Sequence, residues 1–177
     1  MTIIARILSD YQIILKDESI STPGHIIPES INHSHPSACF DGSAQDIGCG
    51  GGAILHLSES HSFKIQMGLG KGTNNFVELI IAKYTIQFAM EKHCRNLQLY
   101  GDSKIICNWI NKTANCNAYS LRHIMEEVHR LINLFDTFIC HHIYREWNTA
   151  ADLLSKEEAH KPIGTWRILE QKDETFH

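Results

Sequence analysis

The chain has 177 residues, 43% hydrophobic and 20% charged, an ordinary globular mixture that excludes wholesale disorder. Sixteen Lys+Arg against 20 Asp+Glu give a formal net charge of −4. That excludes a generally basic nucleic-acid coat protein, but not a nucleic-acid enzyme, because phosphate binding needs a local patch and not a positive total.

Residues 1–36 differ in character from the rest. Ile4, Ile7, Leu8, Tyr11 and Ile14 follow a helical spacing, so a short amphipathic helix is expected at 3–15. The next stretch carries Pro23, Pro28 and Pro36 among small polar residues and reads as a linker. The domain is expected to span 37–160, leaving 161–177 as a tail that either covers a sheet edge or is disordered. SACFDGSA (37–44) reads as a strand, GCGGG (48–52) as a flexible glycine stretch, and AILHLS (53–58) and SFKIQMGL (62–69) as two strands of a hairpin. The period then changes: Val77, Ile81, Tyr84 and Phe88 share one face of a long helix over 74–94, with Asn75 and Glu78 resembling a helix-start signal. NLQLYG (96–101) is a fourth strand, 102–110 a short helix, 121–135 an amphipathic helix, TFICHHIYRE (137–146) a fifth strand and 148–160 a last helix. Three meandering strands followed by alternating helices and strands indicate an α/β fold, a mixed sheet with helices packed on it.

No run approaches the ~20 apolar residues of a membrane span, and the N-terminus lacks the pattern of a secretory signal. The six cysteines include no C-x-x-C pair. Reduced thiols in an intracellular setting, nuclear or cytoplasmic, are expected, with no membrane association. His33, His35 and Cys39 form only a loose loop pattern with no second ligand pair, too little for a zinc site.

Four acids stand at element ends: Asp41 in FDGS, Glu78 in TNNFVEL, Asp102 in YGDSK and Asp152 in REWNTAAD. Taken singly each has an ordinary reading: a turn before glycine, a first-turn acid, a helix cap, a solvated charge. Together they are different. A buried unpaired carboxylate is costly, and several at one sheet edge repel unless a cation neutralises them. Oxygen-rich clusters of this kind suit hard divalent ions, above all Mg²⁺.

Over about two-thirds of its length the chain resembles the type 1 ribonuclease H domain, in the reverse-transcriptase-like form of plant proteins and plant retroelements. The motifs that carry this are FDGS with GCGGGAIL, TNN-x-x-EL at 73–79, GDSK at 101–104 and H-x-x-RE-x-N-x-x-AD from His142 to Asp152, in the family's order. The resemblance implies a five-stranded mixed sheet in order 3-2-1-4-5 flanked by helices, and hydrolysis of the RNA strand of RNA–DNA hybrids. It implies that Asp41, Glu78, Asp102 and Asp152 hold two Mg²⁺ ions, or Mn²⁺, and that His142 handles protons. It also implies that Asn75 contacts substrate, and that Gly48, Gly50 and Gly51 lie in a loop near the RNA strand. Gly42, Ser43, Ser103 and Asn148, beside the acids in these motifs, are expected to meet substrate too. Trp109 either lies along the DNA-strand groove or packs in the core, the latter being favoured. The partner implied is the hybrid, met by a monomer, with a possible upstream reverse transcriptase domain joined through residues 1–36. The polar connection NKTANCNAYS holds a single lysine, Lys112, so the basic protrusion that aids hybrid binding in some members is missing. A catalytically weak or inactive binding module from a retroelement remnant is the main alternative. A recombinase of the same fold is disfavoured by spacing.

Overall fold

A computed structural model describes residues 36–173. The leader with its expected helix at 3–15, and His33 and His35, lie outside the described residues. Six strands and four α-helices follow in the order β1 (Ser37–Gln45), β2 (Gly48–Ser58), β3 (His61–Gly70), α1 (Asn74–Glu91), β4 (Asn96–Gly101), α2 (Lys104–Ile110), α3 (Arg122–Ile132), β5 (Thr137–His142), α4 (Thr149–Glu157) and β6 (Trp166–Lys172). The strand order across the sheet is β5-β4-β1-β2-β3-β6. The order expected for five strands is therefore present, with a sixth added outside β3.

The central strand β1 runs antiparallel to β2 and parallel to β4, and both of its faces are covered. Helices α1, α2 and α3 pack together on one side, and α4 packs against β1, β2 and β3. That is why Ala38, Phe40, Ala53, Leu55, Leu97 and Leu99 are almost fully buried. Helix α1 buries more than the one face its periodicity implied, because α3 covers it from outside and Lys83 pairs with Glu127 across the two helices. Its cap is Thr73, whose hydroxyl accepts from Phe76 N–H at 3.2 Å, and not Asn75.

Two expectations need correction. The glycine run is not a loop; it forms the first part of β2 and is buried. Strand β5 stops at His142 instead of 146, because its partner β4 ends at Gly101 and the ladder has nothing further to pair with. Of the two alternatives for the tail, the first holds over 166–172, which covers the sheet edge by pairing with β3 from Met67 to His61. Trp166 and Ile168 enter the core from it, and Trp166 packs edge-on against Tyr84 with centroids 4.9 Å apart. Among the described residues no helix is long and apolar enough to cross a membrane.

Candidate active site

Parallel pairing places the first two acids. Phe40 is opposite Gly101 at the last register position between β1 and β4, so Asp41 and Asp102 follow side by side. Ser103 caps α2, its hydroxyl accepting from Ile106 N–H at 3.4 Å, which leaves the Asp102 carboxylate free of that duty. Glu78 arrives from α1 because Gly42 has no side chain: a Cβ there would stand 2.8 Å from the Glu78 backbone nitrogen. Carboxylate oxygens of Asp41, Glu78 and Asp102 all lie within 4.8 Å of one another.

The fourth acid arrives through Asn148. Its side-chain amide donates to the Phe40 carbonyl at 2.9 Å and to Asp102 Oδ2 at 3.1 Å. Its main-chain carbonyl accepts from Asp152 N–H at 3.1 Å, in the first turn of α4. Asn148 thus ties the Asp152 helix to the strand of Asp41 and to Asp102. Asp152 is outside the three-acid cluster but close enough to Asp41 to act on it by hydrogen bond and charge. One of its oxygens accepts from Lys156 Nζ at 2.9 Å, an i,i+4 pair that the D-x-x-x-K spacing could have shown.

Burial is the dominant electrostatic influence. Asp41 is 4% exposed and Glu78 7%. Desolvation holds both carboxyls well above the usual carboxylate range, and the charge of Asp102 adds to it. The two share a hydrogen bond, with the proton favouring Glu78. Glu78 Oε2 is buried with no hydrogen-bond partner. An anionic oxygen cluster with an orphaned buried oxygen fits a hard divalent cation, which would take the place of the shared proton.

His142 stands at the rim, exposed, with Nε2 3.2 Å from the Asp102 carbonyl. That bond requires a proton on Nε2, so in the neutral ring Nδ1 is an acceptor. Its neighbour His141 is different: it stacks on Tyr100 at 5.0 Å, and burial lowers its pKa.

The remaining expected contacts divide. Asn75 is half-buried in the first turn of α1, and Ser43 lies in β1, 8% exposed. Gly48 and Gly50 lack side chains because the end of α4 and the turn after it press against them, at Ser155 and Ala159; Gly51 faces Ile81 of α1, where a Cβ would be 2.9 Å from the Ile81 Cβ. The close approach these glycines permit is to the protein's own helices. Trp109 is 9% exposed in the core, the packing alternative.

Comparisons with known proteins agree with this fold. Residues 40–158 match the model of the reverse transcriptase-like family. No curated protein matches the sequence. RNase H1 from Halobacterium salinarum superposes with a TM-score of 0.63 at 22% identity, over 70% of this chain and 96% of that one. The N-terminal RNase H domain of a Mycobacterium tuberculosis protein gives 0.64 at 18% identity, over 71% and 93%. A compost-derived RNase H1 in complex with an RNA/DNA hybrid gives 0.61 at 18% identity, over 71% and 97%. The match over 40–158 makes this chain a member of the reverse transcriptase-like family, and its fold is that of the RNase H1 structures it superposes on.

Proposed function

We propose that the chain hydrolyses the RNA strand of RNA–DNA hybrids, assisted by divalent cations, Mg²⁺ first and Mn²⁺ as a substitute. The observation that carries this is the Asp41–Glu78–Asp102 cluster, three carboxylates within 4.8 Å with a buried unpaired oxygen. Asp41, Glu78, Asp102 and Asp152 would hold the cations, which when bound supply a polarised water and stabilise the departing 3′-oxygen. Asn148 keeps Asp102 aimed into the cluster. His142, with Nδ1 open as an acceptor at the exposed rim, takes or returns a proton there. On this reading Asn75, half-buried at the start of the helix that carries Glu78, contacts the substrate strand. The hybrid is chosen by shape and by 2′-hydroxyls on one strand. With one lysine in the 111–120 connection, binding should be weak and strongly reduced by salt.

The test is cleavage of a labelled RNA–DNA hybrid beside duplex DNA and double-stranded RNA. Mg²⁺-dependent cutting of the hybrid alone, lost in Asp102→Asn, is expected. An intact hybrid at micromolar protein with either metal would leave the chain as a binding module.

A further inference from the structure

The link from β5 to α4 shows more aromatic surface than its folding requires. It is fixed at both ends. Ile143 N–H donates to the Gly101 carbonyl at 2.9 Å, and the Ile143 side chain is buried against Tyr100. At the far end Asn148, 2% exposed, is held by Phe40 and Asp102. Between them a single 3₁₀ turn (Arg145–Trp147) is closed by Trp147 N–H to the Tyr144 carbonyl at 2.9 Å and Asn148 N–H to the Arg145 carbonyl at 3.0 Å.

From this fixed turn Tyr144 and Trp147 stand 61% and 39% exposed. Their rings meet edge-on at 5.4 Å, and Tyr144 lies 6.1 Å from the ring of His142. The result is an arc of three rings. It begins at a histidine bonded to Asp102 and ends beside the asparagine that holds Asp102. Exposed rings on rigid backbone lose little entropy on binding and offer large contact area. The charges between them, Arg145 and Glu146, cancel, so the arc is not an electrostatic footprint.

A stacking surface needs a ligand with free ring faces. In a duplex the base faces are already covered by their neighbours, whereas unpaired bases present theirs to aromatic side chains. Because the arc adjoins Asp102 through His142 and Asn148, an unpaired extension leaving the acid cluster on this side would meet it. We propose that Tyr144 and Trp147 form a stacking site for unpaired nucleobases, so that the chain prefers hybrids flanked by a single-stranded extension to blunt ones. The substrate preference rests on the hybrid-cleavage reading; the binding does not.

The molecule carries its own probe. Of its three tryptophans, Trp109 and Trp166 are 9% and 6% exposed, so ligand-induced emission changes report chiefly on Trp147. In chelator, a short single-stranded oligonucleotide should quench that emission saturably and a blunt hybrid should not. Anisotropy of the labelled oligonucleotide should show binding weakened about tenfold in Tyr144→Ala and Trp147→Ala, and nearly kept in Trp147→Phe. In cleavage, the KM advantage of an extended hybrid over a blunt one should disappear in both alanine variants. Equal quenching by the blunt hybrid, or unchanged oligonucleotide binding in the alanine variants, overturns the proposal. Quenching without any hybrid cleavage would keep the stacking site and remove the hydrolytic reading.

Discussion

Glu78 and Glu170 are both carboxylates against the sheet, and their surroundings are opposite. Glu170, on β6, has His61 Nε2 at 2.6 Å and Lys172 Nζ at 3.5 Å. Partial burial pushes its pKa up, but the His61 bond and the Lys172 charge outweigh that and leave it lowered. Glu78 is buried among carboxylates with no cationic side chain in the cluster, and its pKa is raised. The first is complete within the chain and fastens the last strand to β3. The second is complete only with a proton or a cation from outside. A fold tolerates the second arrangement at a cost in stability, and such sites are where function is expected.

Neutralising each acid separates the two roles most strongly. Glu78→Gln should cut hybrid cleavage by more than about a hundredfold, the upper end seen when mere supporting partners of metal ligands are lost. The same variant, without metal at neutral pH, should be more stable by about 1–3 kcal/mol, since a buried group no longer has to be protonated or left unpaired. Glu170→Gln should leave cleavage intact and lower stability. A Glu78→Gln protein that melts earlier than wild type would mean the cluster is structural.

Metal sharpens the same contrast. Mg²⁺ at about a hundred times its dissociation constant should stabilise the native state by about 2.7 kcal/mol, visible as a rise in melting temperature. The rise should vanish with chelator and in Glu78→Gln, and persist in Glu170→Gln. No shift in wild type at millimolar Mg²⁺ would count against a cation in the cluster.

Titration in chelator should show opposite signs. Asp41 and Glu78 have folded pKa values above their unfolded values near ~4. The folded state then binds more protons than the unfolded one. The stability linked to this pair is therefore fully present below about pH 4 and is lost as pH rises toward the folded values. Glu170 has a lowered folded pKa, so its contribution is present above the unfolded value of about 4.3 and lost as pH falls below that through the lower folded value. The stability gap between Glu78→Gln and wild type should widen from pH 4 to pH 8; a gap that narrows contradicts the burial argument.

What the sequence shows of this contrast is uneven. The acid cluster was legible because each acid sits in a short motif at an element end, and pairing of Phe40 with Gly101 does the rest. The roles of the glycines were not. A glycine in a sequence announces that something comes close, without naming what, and here Gly48, Gly50 and Gly52 receive α4 while Gly42 and Gly51 receive α1. Asn148 was legible as a motif residue near the acids but not as the clamp between β1, Asp102 and α4, which depends on partners 108 and 46 residues away in sequence. The end of β5 was invisible because β4 sets it. The tail was legible as a candidate cover for a sheet edge but not as a strand, because only Trp166 and Ile168 alternate clearly into the core, too short a period-two pattern to stand out beside a glycine-bounded tail.

That sixth strand supplies the smallest effect and the cleanest control. His61→Ala removes the direct partner of Glu170 while leaving Lys172 at 3.5 Å. The His61 and Glu170 side chains are 25% and 16% exposed, so part of the attraction is screened by solvent. The loss should be about 0.5–1 kcal/mol, the upper range for pairs near a surface. It should shrink in high salt, because exposed charge pairs are screened. Hybrid cleavage, Mg²⁺ stabilisation and Trp147 quenching should all be unchanged, since β6 lies at the far edge of the sheet from β4 and β5. Chemical denaturation of His61→Ala at low and high salt checks this. A loss of several kcal/mol would show that the β3–β6 ladder, with Trp166 against Tyr84, is held chiefly through this one pair.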